Sequence, residues 1–152
     1  MWVRTLVTRT TIIAIAGASA SGKSLFSQTI YNELVNELEP GAIAIIEEDA
    51  YYKDQSHLPM AHRTQTNYDH PDAFEHALML EHLTQLRSGN SVEVPTYDYA
   101  QHTRSEKTRR VPAAKILIVE GILLLSDKAL NKEFDIKVFI DTPLDICLMR
   151  RM

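Results

Sequence analysis

The chain has 152 residues, 45% hydrophobic and 24% charged, with a formal net charge of −4. That is enough for one domain with one sizeable core, and it lacks the excess of positive charge that a broad nucleic-acid-binding surface needs. The single cysteine, Cys147, excludes an intrachain disulfide, fits a reducing cytoplasmic setting and is expected near the core on a helix.

Residues 1–10 form a polar-apolar lead-in with no assigned role. Ile12-Ile13-Ala14-Ile15-Ala16 is a short β-branched run that reads as a buried strand. Gly17-Ala18-Ser19-Ala20-Ser21-Gly22-Lys23-Ser24 follows, with the spacing G-x-x-x-x-G-K-[ST] of a phosphate-binding P-loop. Then Leu25–Leu38 carries apolar residues at 26, 30, 34 and 38, one helix face. Strand, glycine loop and helix are the context this motif requires. The glycines let backbone N–H groups turn inward, and the helix N-terminus adds partial positive charge. Lys23 can reach terminal phosphates and the Ser24 hydroxyl can bind Mg²⁺. Arg4, Arg9 and the apolar run before Ala18-Ser19-Ala20 also imitate a secretory leader. Cleavage there would cut through the loop, so no leader is expected.

Pro40-Gly41 marks a turn, and Ile43–Ile46 reads as a second buried strand running into Glu47-Glu48-Asp49. Residues 55–70 lack periodicity and predict a loop with one short helix. Pro71 is placed to start a helix with Asp72 beside it, an apolar face of Phe74, Ala77, Leu78, Leu83 and Leu86, and a stop at Gly89. Residues 91–95 and 107–111 can pair in a small hairpin, within about 90–111. Ile116–Val119 is a third buried strand ending at Glu120-Gly121, and the apolar stretch from Ile116 to Leu125 is too short to span a bilayer. A short helix near 126–132 precedes a fourth strand, Ile136–Ile140. Thr142-Pro143-Leu144-Asp145 then reads as a capped helix start.

Alternating strands and helices predict an α/β fold with a parallel sheet covered on both faces, in a single domain over 1–152. Ligands should sit at the C-terminal strand ends, where Gly17, Asp49, Glu120 and Asp141 all fall. Glu120 is placed to complete an Mg²⁺ site or to be an ordinary strand-end acid. Asp49 can accept a proton from an attacking hydroxyl or simply cap a turn. Position alone leaves Tyr97 and Tyr99 as hairpin packing, His102 as a solvated loop residue and Arg150-Arg151 as a helix-end pair. His57, His62, His70, His76 and His82 match no zinc spacing and are expected at the surface.

Five further segments narrow the choice. Asp49-Ala50-Tyr51-Tyr52-Lys53-Asp54 resembles the D-x-[FY]-Y motif of uridine kinases, and Asn67-Tyr68-Asp69-His70-Pro71-Asp72-Ala73-Phe74 is similar to their N-[FY]-D-H-P-D-A-F. Pro95–Arg104 resembles P-x-Y-D-[FY]-x-x-H-x-R, and Val119-Glu120-Gly121-Ile122-Leu123 matches V-E-G-I-L. Asp141–Asp145 and Arg150-Arg151 match the segment entering the family's lid. The motifs run in family order over about residues 12–152, and the bacterial members, which also phosphorylate cytidine, are the most similar.

The resemblance implies a P-loop NTPase fold and transfer of the γ-phosphoryl of ATP or GTP to the 5′-hydroxyl of uridine or cytidine, in pyrimidine salvage. It implies Asp49 as general base, residues 17–24 on the donor phosphates, and Ser24 and Glu120 on Mg²⁺. Asp69 would take the ribose hydroxyls, and Tyr97 and His102 the pyrimidine edge. Tyr52, Tyr68 and Tyr99 would line the pocket, Arg151 would reach the transferring phosphate, and Arg104 is a family position with no role assigned. Family members continue past the arginine pair, so a last strand and most of the lid are expected to be absent here, leaving the fourth strand as an open apolar edge. The alternative to a kinase is therefore a nucleotide- or phosphate-binding module without turnover. Phosphoribulokinase and pantothenate kinase share the loop but differ in the acceptor motifs. The N-K-x-D and D-x-x-G motifs of GTPases are missing. The family also suggests a homotetramer inhibited by UTP or CTP.

Overall fold

The computed structural model describes residues 9–152, so most of the lead-in, with Arg4, lies outside the described residues. In chain order the elements are β1 (Thr11–Gly17), α1 (Lys23–Val35), β2 (Ile43–Glu47), α2 (Met60–Arg63), α3 (His76–Arg87), β3 (Val92–Asp98), β4 (Thr103–Val111), β5 (Ile116–Gly121), α4 (Lys128–Glu133), β6 (Ile136–Ile140) and α5 (Leu144–Arg151). Single 3₁₀ turns cover Glu48–Tyr51 and Pro71–Ala73.

Four strands make one parallel sheet in the order β2-β5-β1-β6. The strand pattern of alternating faces builds two cores. Ile12, Ala14, Ile46, Leu117 and Val119 face Met79, Leu83 and Leu86 of α3, Leu130 of α4, and Val92, Val94 and Val111 of the hairpin. Ile15, Ile43 and Ile118 face Ile30, Leu34, Val35 and Leu38 in and after α1. The sheet is therefore covered on both faces, as expected, with β6 at one edge. Ile136 and Phe139 of that strand are exposed at 48% and 61%.

The hairpin is longer than expected, because pairing continues past an irregularity between Pro95 and Tyr97 to Asp98↔Thr103. Three other expectations need correction. The helix placed at Pro71 begins five residues later. Phe74 is held extended in a bridge with Tyr52, the Lys53 amide donates to Ala73 O (2.9 Å) and the Glu75 amide donates to Tyr51 O (2.8 Å), so the 3₁₀ turn at Pro71–Ala73 does not continue and α3 starts only at His76. The buried face of α3 is consequently His76, Met79, Leu83 and Leu86, while Ala77 is exposed. Phe26 also lies outside the α1 core face and is exposed. Thr142 does not cap α5: its hydroxyl donates to Ser21 O (2.7 Å) and so braces the glycine loop instead.

The N-terminal end of the sheet is closed by one carboxylate. Asp135 accepts from the Ile12 amide (2.9 Å), Arg87 (3.2 Å) and Arg9 (3.3 Å). Arg87 also donates to Thr10 O and Glu133 O. Burial works against the Asp135 charge, but the Ile12 amide and the two guanidinium groups outweigh it and hold the carboxyl below its ordinary range.

Candidate active site

The loop after β1 is built by backbone conformation. Ala20 (φ 62) and Gly22 (φ 96) are both left-handed, and Gly22 is the N-cap of α1. At Gly17 a Cβ would meet Ser21 Oγ at 2.7 Å and Ile140 O at 2.9 Å, so the position admits no side chain without a shift. Residues 20–25 and Arg150 line a cavity of about 550 Å³, and Arg150 is fixed there by donating to Ala20 O (3.1 Å). Among the described residues the buried Ser21 Oγ has no hydrogen-bond partner. A concave loop at a helix N-terminus, with Lys23 in it, has the shape and charge to cradle a phosphate.

One strand away, the Ser24 hydroxyl donates to Glu120 Oε1 (3.1 Å), while Glu120 Oε2 is buried and unpartnered among the described residues. Burial raises the Glu120 carboxyl above its ordinary value, against the lowering effects of Ser24 and Lys23. A hydroxyl and a carboxylate with a spare buried oxygen, beside a phosphate cradle, fit a hard divalent cation. Asp49 lies on the 3₁₀ turn that leaves β2, the strand next to β5. Burial raises its carboxyl too, opposed by Lys23 and reinforced by Glu48 and Glu47. Tyr99 reaches it with a long 3.5 Å hydrogen bond, and the Tyr99 hydroxyl is pushed up to about 12, mostly by burial and then by Asp49.

The remaining residues that the sequence reading singled out come from distant segments. Tyr52 is buried, stacked on Phe74 (4.4 Å) and packed against Tyr68 and Tyr97 (both 5.1 Å). Burial, then Asp49, Tyr99 and Asp69, raise its hydroxyl pKa, which places it among those acids. The Tyr97 hydroxyl donates to that of Tyr68 (3.1 Å), which in turn donates to Arg63 O (3.0 Å). His102 sits in a left-handed turn (φ 48) with its ring 6.1 Å from Tyr68. Asp69 and Arg151 share a cavity of about 350 Å³ with Ala18, Ser19, Ile122 and Leu123, so Asp69 and the glycine loop face the same space. Arg104 has a clear role in the fold. It pairs with Glu75 (2.7 Å) and donates to Tyr52 O (2.9 Å), clamping the hairpin to the Tyr52 bridge.

Four residues were missed or misplaced by the sequence reading. Gln55 is buried. Its side-chain amide donates to the Tyr68 hydroxyl (2.9 Å) and His102 O (3.1 Å), and its side-chain oxygen accepts from Thr66 (2.6 Å). Glu48 is completely buried, and His76 is buried beside it, against the expected surface position; His82 is half-buried against Tyr51. The strand alternation carried a signal for Glu48, since Ile46 two residues earlier is in the core. Among the described residues no cluster of three or more metal-ligating side chains occurs, and no helix is long and apolar enough to cross a membrane.

The family model described as phosphoribulokinase/uridine kinase matches residues 12–152. The chain belongs to this family. The uridine kinase of Tolumonas auensis is 62% identical over 141 residues, and that of Erwinia tasmaniensis 55%. Each match covers 93% of this chain and 66% of the relative, so the chain spans just under two thirds of the length of these curated family members. The solved structure of a possible uridine kinase from Bacillus stearothermophilus superposes with a TM-score of 0.71 at 19% identity, over 93% of this chain and 76% of that one, a likeness of fold. The α/β P-loop kinase architecture of this phosphoribulokinase/uridine kinase family member agrees with the sequence reading.

Proposed function

We propose that this family member transfers the γ-phosphoryl group of ATP or GTP to the 5′-hydroxyl of uridine or cytidine, giving UMP or CMP. The observation that carries the reading is the shared cavity, in which Asp69 and Arg151 face Ala18 and Ser19 of the phosphate loop. The uridine kinase names of relatives up to 62% identical support it, and favour turnover over a module that only holds nucleotide.

Lys23, the loop amides and the α1 N-terminus hold the donor phosphates, and Arg151 neutralises the group in transfer. Ser24 and Glu120 would hold Mg²⁺, whose charge screens the donor's phosphate oxygens. Asp69 takes the ribose hydroxyls, since a carboxylate can accept two hydrogen bonds at once. Tyr97 and His102 bound the pyrimidine edge, with Tyr52, Tyr68 and Tyr99 as walls. Asp49 accepts the 5′-hydroxyl proton as the oxygen bonds to the γ-phosphorus and the bond to the β-phosphate oxygen breaks. Its raised proton affinity suits that task better than an exposed aspartate's would. The remaining details, a soluble cytoplasmic enzyme acting in pyrimidine salvage as a homo-oligomer, follow from the same reading.

The test is Mg²⁺-dependent formation of UMP from uridine and ATP or GTP, with Asp49→Asn beside the wild-type chain. UMP from the wild type and its loss in Asp49→Asn are expected. Nucleotide binding by a folded chain that forms no UMP or CMP would favour the binding module.

A further inference from the structure

The Glu48 side chain is fully buried, and the described residues give it a complete set of partners. Its Oε1 accepts from the backbone amides of Ile122 (3.1 Å) and Leu123 (3.0 Å), in the turn that leaves β5 after Glu120. Its Oε2 faces His76 Nε2 (3.3 Å), and His76 Nδ1 faces Asp127 Oδ2 (3.8 Å). The His76 ring is stacked on Phe74 (5.3 Å, 4°), and Phe74 on Tyr52. Space for the carboxylate exists only because residue 121 is glycine. A Cβ there would overlap Glu48 Cβ and come within 2.8 Å of Glu48 Cδ.

Burying a carboxylate is costly, and a buried ionic cluster is weak evidence for stability as such. The location of this one gives the reason for it. Glu48 directly precedes Asp49, and the two amides it holds belong to residues that line the cavity shared by Ala18, Ser19, Asp69 and Arg151. One rigid side chain thus ties the turn carrying the proposed base to the turn following the proposed metal acid. We propose that Glu48 is a positioning residue for phosphoryl transfer, fixing Asp49 relative to the Glu120–Leu123 turn through the two amides. This rests on the kinase reading above. It makes no contact with substrate a requirement; Glu48 acts by holding other groups within the small tolerance that an in-line transfer allows.

The experiment compares Glu48→Ala, Glu48→Gln and wild type for kcat, for KM of ATP and uridine, and for amide hydrogen exchange at Ile122 and Leu123. Glu48→Ala should lower kcat per folded molecule by roughly 100-fold, the scale of a misplaced reacting group, with KM for ATP unchanged and both amides exchanging faster. Glu48→Gln keeps an acceptor oxygen for the amides and should restore most of the kcat and the protection. If Glu48→Ala does not fold, Glu48→Asp, too short to reach both amides, replaces it with the same expectation. An unchanged kcat in a folded Glu48→Ala, or a Gln variant no better than Ala, overturns the inference. So does undiminished protection of the two amides, whatever the turnover. A wild-type chain that forms no UMP instead overturns the kinase reading, and this is seen before any variant is compared.

Discussion

Asp135 at the N-terminal end of the parallel sheet and the pair Asp49 and Glu120 at its C-terminal end are treated in opposite ways. At the N-terminal end, Asp135 is saturated by the Ile12 amide, Arg87 and Arg9, and its carboxyl lies below the ordinary range. At the C-terminal end, Asp49 and Glu120 are half-buried with one hydrogen bond each, from Tyr99 at 3.5 Å and from Ser24, and both carboxyls lie above that range. One end spends its polar groups on closing the fold. The other satisfies Glu48 but leaves Asp49 and Glu120 short of partners among the described residues, open to a proton or a cation. The difference teaches where to look for chemistry in such a sheet: at the acid that the protein itself has not satisfied.

The sharpest break of this contrast is Asp49→Asn. A rate loss of roughly 10²–10⁴-fold in UMP formation is expected for a missing general base, measured at saturating uridine and ATP. Stability should move the other way. A carboxyl whose folded pKa is raised contributes stability below its unfolded pKa and loses it as pH rises through the folded value. The melting midpoint of Asp49→Asn should therefore equal the wild type's near pH 3 and exceed it increasingly as pH climbs past the ordinary carboxylate range, about 4.

Asp135→Asn tests the other end. Losing charge-assisted hydrogen bonds to a backbone amide and two guanidinium groups should cost about 1–3 kcal/mol in urea unfolding, with turnover per folded molecule unchanged. Here the pKa is depressed, so the stabilisation is present above the unfolded pKa and vanishes as pH falls through the folded one. The deficit of the variant should be largest near neutrality and close on acidification. Deficits of the same pH sign at Asp49 and Asp135 would erase the distinction between the two ends. Tyr99→Phe should have the smallest effect, about twofold in kcat, because a 3.5 Å hydrogen bond to Asp49 is weak.

Legibility in the sequence follows the same division. The glycine loop, its strand and its helix are contiguous, so spacing alone located Gly17–Ser24 and the architecture around it. The β-branched runs marked all four parallel strands, and the hairpin was visible apart from its length. The residues that assemble the proposed acceptor side were visible only as motifs, since their meaning is tertiary: Gln55 joins Tyr68, Thr66 and His102 across up to 47 positions. Glu48 was hidden inside Glu47-Glu48-Asp49, where three adjacent acids look like a solvated turn. Its burial depends on Gly121, an absent side chain 73 positions away, and on His76, whose helix begins later than Pro71 suggests.

The left-handed backbone at His102 (φ 48) bears on any test of the base-recognition role proposed for it. A β-branched or bulky apolar replacement there would strain the hairpin turn itself, so lost activity would report on the backbone as much as on base recognition. Asparagine and glycine tolerate that conformation, which makes them the informative substitutions at this position. A library aimed at accepting altered pyrimidines would be better opened at Tyr97, whose extended backbone in β3 places no such restriction on the side chain.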